Sequence, residues 1–95
     1  MEHSQPEAGL SEVMSYLGTE FPQFDITRIH ENEDEIVLQL KSLGQVHIVR
    51  VHRSFLERTS EKEISERLTS FRLASVLRDL GNLPVALTPS GCIFM

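Results

Sequence analysis

The sequence has little that could cross-link it or hold it in a membrane. Its single cysteine, Cys92, cannot form an internal disulfide and leaves no pair of thiolates for a zinc site. The N-terminal residues lack the basic start and apolar run of a secretory signal, and no apolar stretch approaches the roughly 20 residues that span a bilayer. We therefore expect a cytoplasmic protein without a transmembrane segment.

The recognisable motifs of enzymes are missing as well. The five glycines form neither a nucleophile elbow, nor a phosphate-binding loop, nor a dinucleotide fingerprint. The sequence therefore favours a non-catalytic protein without a cofactor. The alternative is a small enzyme or metal-binding protein that uses His30, His47 and His52. His47 and His52 would point to opposite faces of an unbroken strand, which argues against a shared metal ion.

Basic residues are scarce in the first third of the chain. Residues 1–35 hold nine acidic residues and one basic residue, whereas residues 36–58 hold four basic residues and one acidic residue. With a net charge of -5, most of the surface should repel nucleic acid. We therefore expect no nucleic-acid partner, and we interpret the basic residues as offsetting the acidic third of the chain across the fold.

Apolar spacing predicts two helices. A stripe of four apolar residues runs from Leu10 to Leu17, after a flexible arm over residues 1–9. A second helix should begin at the capping box of Ser60 and Glu63 and run to Leu80. Its apolar positions drift to nearly the opposite face, so this helix is either buried on different sides at its two ends or broken near Thr69–Ser70.

Alternation of apolar and polar residues predicts the strands. They cover residues 24–27, 36–40, 46–52 and 85–87, and the clearest is 36–40. In the third strand the apolar positions switch parity between Ile48 and Val49. This switch predicts either a bulge or a central strand covered on both faces.

The fold expected from these elements is a single α+β domain over residues 10–95. The element order is α-β-β-β-α-β, with a three- to four-stranded antiparallel sheet and the helices packed on one face. The expected core residues are Ile36, Leu38, Leu40, Ile48, Val51, Ile64, Leu68, Phe71 and Leu77.

By elimination, the expected function is that of a small protein-binding or regulatory domain. The partner is another protein or a second copy of the chain, and a homodimer is favoured because residues 46–51 look like an open strand edge. The expected interaction surface consists of His47, Arg50, His52, Arg53, Ile93, Phe94 and Met95.

The final tetrapeptide allows a different hypothesis. Cys92-Ile93-Phe94-Met95 fits the C-a-a-X pattern of prenylation, which makes a C-terminally prenylated, membrane-associated adaptor a minor alternative. No polybasic patch or second cysteine accompanies the pattern, although stable anchoring needs a second signal. We favour a structural role for these residues as a strand or a plug.

Overall fold

The computed structural model describes residues 6–81 and 84–94, and it has the predicted α+β class. The helices are α1 (Pro6–Glu20), α2 (Arg53–Arg58), α3 (Glu61–Phe71) and α4 (Leu73–Leu80). The strands are β1 (Asp25–Glu31), β2 (Glu35–Ser42), β3 (Gln45–His52), β4 (Val85–Thr88) and β5 (Gly91–Phe94). The predicted order is confirmed, and the structure adds the short helix α2. Of the alternatives left open, it shows a break between α3 and α4 and a fifth strand at the C-terminal end of the described chain.

The strands form one mixed sheet in the order β1-β2-β3-β4-β5. Neighbouring strands are antiparallel except for β3 and β4, which are parallel. The sheet is therefore larger than the expected three- to four-stranded antiparallel one. Its parallel pair arises because the long connection through α2, α3 and α4 brings the chain back to run in the same direction as β3.

The helices and the sheet enclose one core on one face of the sheet. Ile36, Leu38 and Leu40 of β2 lie opposite Val51, Val49 and His47 of β3 in continuous pairing. The apolar residues among these six belong to a buried cluster with residues from all four helices and from β4. We call this side of the sheet the covered face.

Two residues of the predicted core lie elsewhere. Ile48 points away from the helices and is half-buried, because β3 alternates regularly and places His47 and Val49 on the covered face instead. Phe71 is half-buried at the end of α3, where it packs against the core. Strand β3 pairs with β2 without a register shift, so no bulge accounts for the parity switch in β3. Val46 and Ile48 instead lie half-buried on the side of the sheet opposite the helices.

The expected second helix is broken at Arg72. This residue is left-handed (φ 56°, ψ 44°) and links α3 to α4. The break lets Ile64 of α3 and Leu77 of α4 both reach the core, although their apolar stripes face different ways. At the start of α4 the Tyr16 hydroxyl accepts a hydrogen bond from the Ala74 backbone N–H (3.3 Å), which satisfies a donor that the helix cannot pair internally.

Helix α1 begins at Pro6, within the segment that the sequence assigned to a flexible arm. Proline is well suited to the first turn of a helix, where its missing N–H has no intrahelical partner. Gly9 then lies at a close approach between helices. A Cβ atom there would lie 3.0 Å from Ile64 Cδ1 and 3.2 Å from Leu56 Cδ2.

Candidate functional site

The side of the sheet opposite the helices is an exposed surface, which we call the open face. The register places these residues on it: Asp25, Thr27, His30, Glu35, Val37, Gln39, Lys41, Val46, Ile48, Arg50, His52, Ala86, Thr88 and Ile93. Val37 and Ala86 are each only 9% exposed, yet neither belongs to the core cluster. Both lie directly opposite the longer side chain of Arg50, on either side of β3.

The open face carries four apolar residues around Arg50. Val37 lies opposite Arg50 on β2 and Ala86 lies opposite it on β4, with Ile93 next to Ala86 on β5. Ile48 occupies the next outward position on β3, and Ile93 is 48% exposed, which is high for an isoleucine in a strand. Exposed apolar side chains grouped in this way mark a surface suited to contact with another molecule.

The open face carries two acidic and two basic residues, and one pair of them forms a salt bridge. Arg50 donates two hydrogen bonds to the carboxylate of Glu35, from Nε to Oε1 at 3.0 Å and from Nη2 to Oε2 at 2.8 Å. These bonds lower the pKa of Glu35 and raise the pKa of Arg50. Asp25 and Lys41 lie directly opposite each other on β1 and β2. The open face therefore carries both signs in balance.

Arg53 has a structural role at the tip of the first hairpin. Its Nε donates to the backbone carbonyl of Asn32 at 2.7 Å, and its Nη2 lies 3.4 Å from Glu31 Oε2. Asn32 Oδ1 accepts hydrogen bonds from the backbone N–H groups of Asp34 and Glu35. The turn between β1 and β2 is thus ordered, and the Arg53 side chain ties it to the start of α2.

A pocket opens at one end of the covered face. It has a volume of about 410 Å³ and lies where α1 ends, β3 begins and α4 ends. Its lining residues are Glu20, Phe21, Pro22, Gln23, Phe24, Gln45, His47, Arg78 and Gly81. This size and mixed lining are typical of a site for a small molecule.

His47 forms part of the pocket wall. Only 5% of this residue is exposed, and its Nδ1 lies 2.8 Å from the carbonyl oxygen of Gly81. Its ring centroid is 5.6 Å from that of Phe21 and 5.4 Å from that of Phe24. The hydrogen bond and the two rings hold the imidazole in one orientation.

The predicted interaction residues fall into three groups. Arg50, His52 and Ile93 share the open face, as a common surface requires. His47 is buried on the covered face, and Arg53 is tied to the hairpin tip, so these two do not belong with the others. The side chain of Phe94 and the whole of Met95 lie outside the described residues.

Residues Cys92, Ile93 and Phe94 form part of β5, so of the two structural forms expected for this segment, a strand or a plug, the structure shows the strand. Cys92 lies opposite Leu87 and packs partly against the core. Burial raises the pKa of its thiol to about 11. The thiol therefore stays protonated and weakly nucleophilic near neutral pH.

The three histidines proposed as metal ligands are separated by the sheet. His47 lies on the covered face, whereas His30 and His52 lie on the open face. Within residues 6–81 and 84–94, no group of three or more histidine, cysteine, aspartate or glutamate side chains is placed to hold a metal ion.

Comparison with known proteins gives no family assignment. No protein-family model matches the sequence, and neither a curated protein nor a solved structure is significantly similar to it. Among the described helices, none is long and apolar enough to cross a membrane. The proposals below are therefore argued from this chain alone.

Proposed function

We propose that the chain is a non-catalytic binding domain that docks a protein on its open face, and that the protein it docks is a second copy of itself. The observation that carries the proposal is the group of apolar residues around Arg50, on a sheet face without helices in the described chain: Val37, Ile48, Ala86 and Ile93. Two such sheets can stack face to face at about 10 Å, as in a β-sandwich.

The charge distribution favours a second copy as the occupant. Each chain carries a net charge of -5, so two copies repel over most of their surface. On the open face, however, Glu35 is neutralised by Arg50, and Asp25 lies opposite Lys41. This face is therefore where two copies can approach at the lowest electrostatic cost.

The dimensions of the face indicate a weak association. Five strands of four to eight residues cover roughly 20 Å by 20 Å at the usual strand spacing and rise. Two copies would then bury about 1,000 Å² in total, at the lower end of the range for specific interfaces. We expect a dissociation constant on the order of 10⁻⁶ to 10⁻⁵ M.

The structure changes the basis of the homodimer prediction. Strand β3 pairs with β2 along its length and with β4 at Val49–Val51, so this second half of residues 46–51 is not an open edge. The edges of the sheet are β1 and β5. The contact proposed here is made by the face of β3 rather than by its backbone.

Light scattering after size-exclusion chromatography tests the proposal with one pair of variants. Ile48→Lys places a charge in the middle of the open face, and the variant should elute as a folded monomer. Leu43→Lys is the matched control, because Leu43 is 98% exposed in the β2–β3 turn and lies off the face. This control should remain dimeric at about 100 μM, as should the unaltered chain.

Two results would overturn the self-association. One is a monomeric unaltered chain at about 100 μM, well above the expected dissociation constant. The other is equal dissociation by both substitutions, which would place the contact outside the open face. Circular dichroism melts of each variant show whether a loss of dimer reflects a loss of fold.

A further inference from the structure

The pocket at His47 has the aromatic walls of a site for a flat ring. The rings of Phe21 and Phe24 meet edge to face, with centroids 5.4 Å apart and an angle of 80° between their planes. Pro22 continues the apolar lining between them. Aromatic rings pack favourably in edge-to-face and offset geometries, so a ring that enters the pocket can pack against these walls.

His47 brings a hydrogen-bond acceptor to this pocket. A carbonyl oxygen can only accept, so the contact with Gly81 places the proton on Nδ1 of His47. In the neutral ring, Nε2 then carries a lone pair. Across residues 6–81 and 84–94, the Gly81 contact is the single hydrogen bond made by this ring. An acceptor in a residue that is 95% buried is best satisfied by a donor on a bound molecule.

Arg78 brings a positive charge to the rim of the same pocket. Its Cζ lies 4.8 Å from the ring centroid of Phe21, and its Nη2 donates to the backbone carbonyl of Glu20 at 2.9 Å. The Glu20 carboxylate is more distant, at 3.8 Å, and 53% of the arginine side chain is exposed. The remaining guanidinium donors are therefore accessible to an anion that approaches from the pocket.

Phe21 lies beside both polar groups. Its ring centroid is 4.8 Å from Arg78 Cζ and 5.6 Å from the centroid of the His47 ring. A ligand ring that packs against Phe21 therefore has the cation and the imidazole among its neighbours.

We propose that this pocket binds a small aromatic carboxylic acid that carries a hydroxyl group on the far side of its ring. The carboxylate pairs with Arg78, the ring packs against Phe21 and Phe24, and the hydroxyl donates to Nε2 of His47. This site is independent of the open face, because it lies at one end of the covered face. For a ligand of about ten heavy atoms in a half-open pocket, we expect a dissociation constant on the order of 10⁻⁴ to 10⁻³ M.

An NMR titration with 4-hydroxybenzoate tests the proposal on the unaltered chain. Backbone amide shifts should change at residues 20–24, 45–47 and 78–81 and saturate by about 10 mM ligand. Benzoate lacks the hydroxyl and 4-hydroxybenzyl alcohol lacks the carboxylate, so each should bind at least about 5-fold more weakly. No saturable change at the pocket, or equal affinity for all three compounds, would overturn the proposal.

The imidazole nitrogens of His47 give a readout that needs no substitution. A long-range ¹H–¹⁵N spectrum should show a protonated Nδ1 and an unprotonated Nε2 in the free protein. The Nε2 resonance should shift on addition of 4-hydroxybenzoate and stay unchanged on addition of benzoate. A proton on Nε2 in the free protein would contradict the proposed acceptor role.

Substitution of Arg78 separates the anion contact from the rest of the pocket. Arg78→Gln should weaken binding of 4-hydroxybenzoate at least about 10-fold while leaving 4-hydroxybenzamide, its neutral counterpart, nearly unaffected. Arg67→Gln on α3 is the matched control, since Arg67 is exposed and outside the pocket lining. An equal effect of the two substitutions would overturn the assignment of Arg78.

Discussion

The two faces of the sheet use similar residues for different purposes. Leu38 on the covered face is fully buried, and its neighbour Val37 on the open face is 9% exposed, so burial alone hardly distinguishes them. What differs is the surroundings. Leu38 belongs to the core cluster, which includes residues from four helices, whereas Val37 lies outside that cluster and opposite Arg50. The comparison shows that a buried strand residue does not always face the core.

The largest expected effect on stability comes from shortening the side chains of Leu38 and Val37 in two separate variants. Leu38→Ala should lower the free energy of unfolding by about 2–5 kcal/mol, because it leaves a cavity that the packed helices cannot fill. Val37→Ala should cost about 1 kcal/mol, since solvent and flexible neighbours can occupy the space. Urea unfolding of the monomeric Ile48→Lys background measures both without a contribution from association. Equal losses in the free energy of unfolding for the two substitutions would show that the open face is packed as tightly as the core.

On the covered face, the inward-facing residues of β2 could be predicted from the sequence, whereas those of β3 could be predicted only in part. The strict alternation of Ile36, Leu38 and Leu40 was sufficient to assign the inward face of β2, and the structure confirms it. In β3 both parities are apolar, because Val49 and Val51 face the core while Val46 and Ile48 line the open face. A single strand pattern cannot distinguish an apolar interaction surface from a second core.

The site near His47 was not predictable for a different reason. It joins residues that are far apart in the chain, since His47 contacts Gly81 and Arg78 lies over Phe21. Local spacing carries no information on such contacts until the path of the chain is known. The aromatic pair around Pro22 was the available signal, but nothing local indicated which histidine it would meet.

The second prediction compares a glycine that faces other helices with one that faces solvent. Both lie in α1, where alanine is normally preferred over glycine by about 0.5–1 kcal/mol. Gly18→Ala should show this gain, because no atom lies within 4 Å of the added Cβ. Gly9→Ala should not show this gain in stability, because the added Cβ would lie 3.0 Å from Ile64 Cδ1.

Thermal melts of the two alanine variants, recorded side by side, measure this difference. The Gly9 variant should melt below the Gly18 variant by the equivalent of about 1–2 kcal/mol. Equal melting temperatures would mean that the ends of Ile64 and Leu56 move aside freely, and that the contact between α1 and the helices beneath it is loose.

The smallest expected effect on stability concerns the ion pair of the open face. Glu35→Gln removes the charge that Arg50 binds, but 37% of the Arg50 side chain is exposed and water can solvate it. We therefore expect a loss of no more than about 1 kcal/mol at neutral pH. A double-mutant cycle with Arg50→Gln isolates the coupling between the two residues from their other contacts.

The pH dependence of that coupling has a definite sign. The hydrogen bonds from Arg50 lower the pKa of Glu35 below its usual value of 4.5, so the folded state favours the carboxylate. The contribution to stability is therefore fully present above about pH 4.5 and is lost as the pH falls through the lowered pKa of the folded state. Stability of the unaltered chain and of Glu35→Gln, compared from pH 7 downward, should converge in that acidic range. A difference that grows on acidification would contradict the lowered pKa.

The same cycle also tests whether a second copy covers the open face. If two copies stack through the open face, water is displaced from around Glu35 and Arg50, and removal of one partner leaves the other charge poorly solvated. The cost of Glu35→Gln should then be larger at protein concentrations where the chain is dimeric than in the monomeric Ile48→Lys background. If the cost is the same in both, the ion pair remains in water at every concentration and the contact between copies excludes this part of the face.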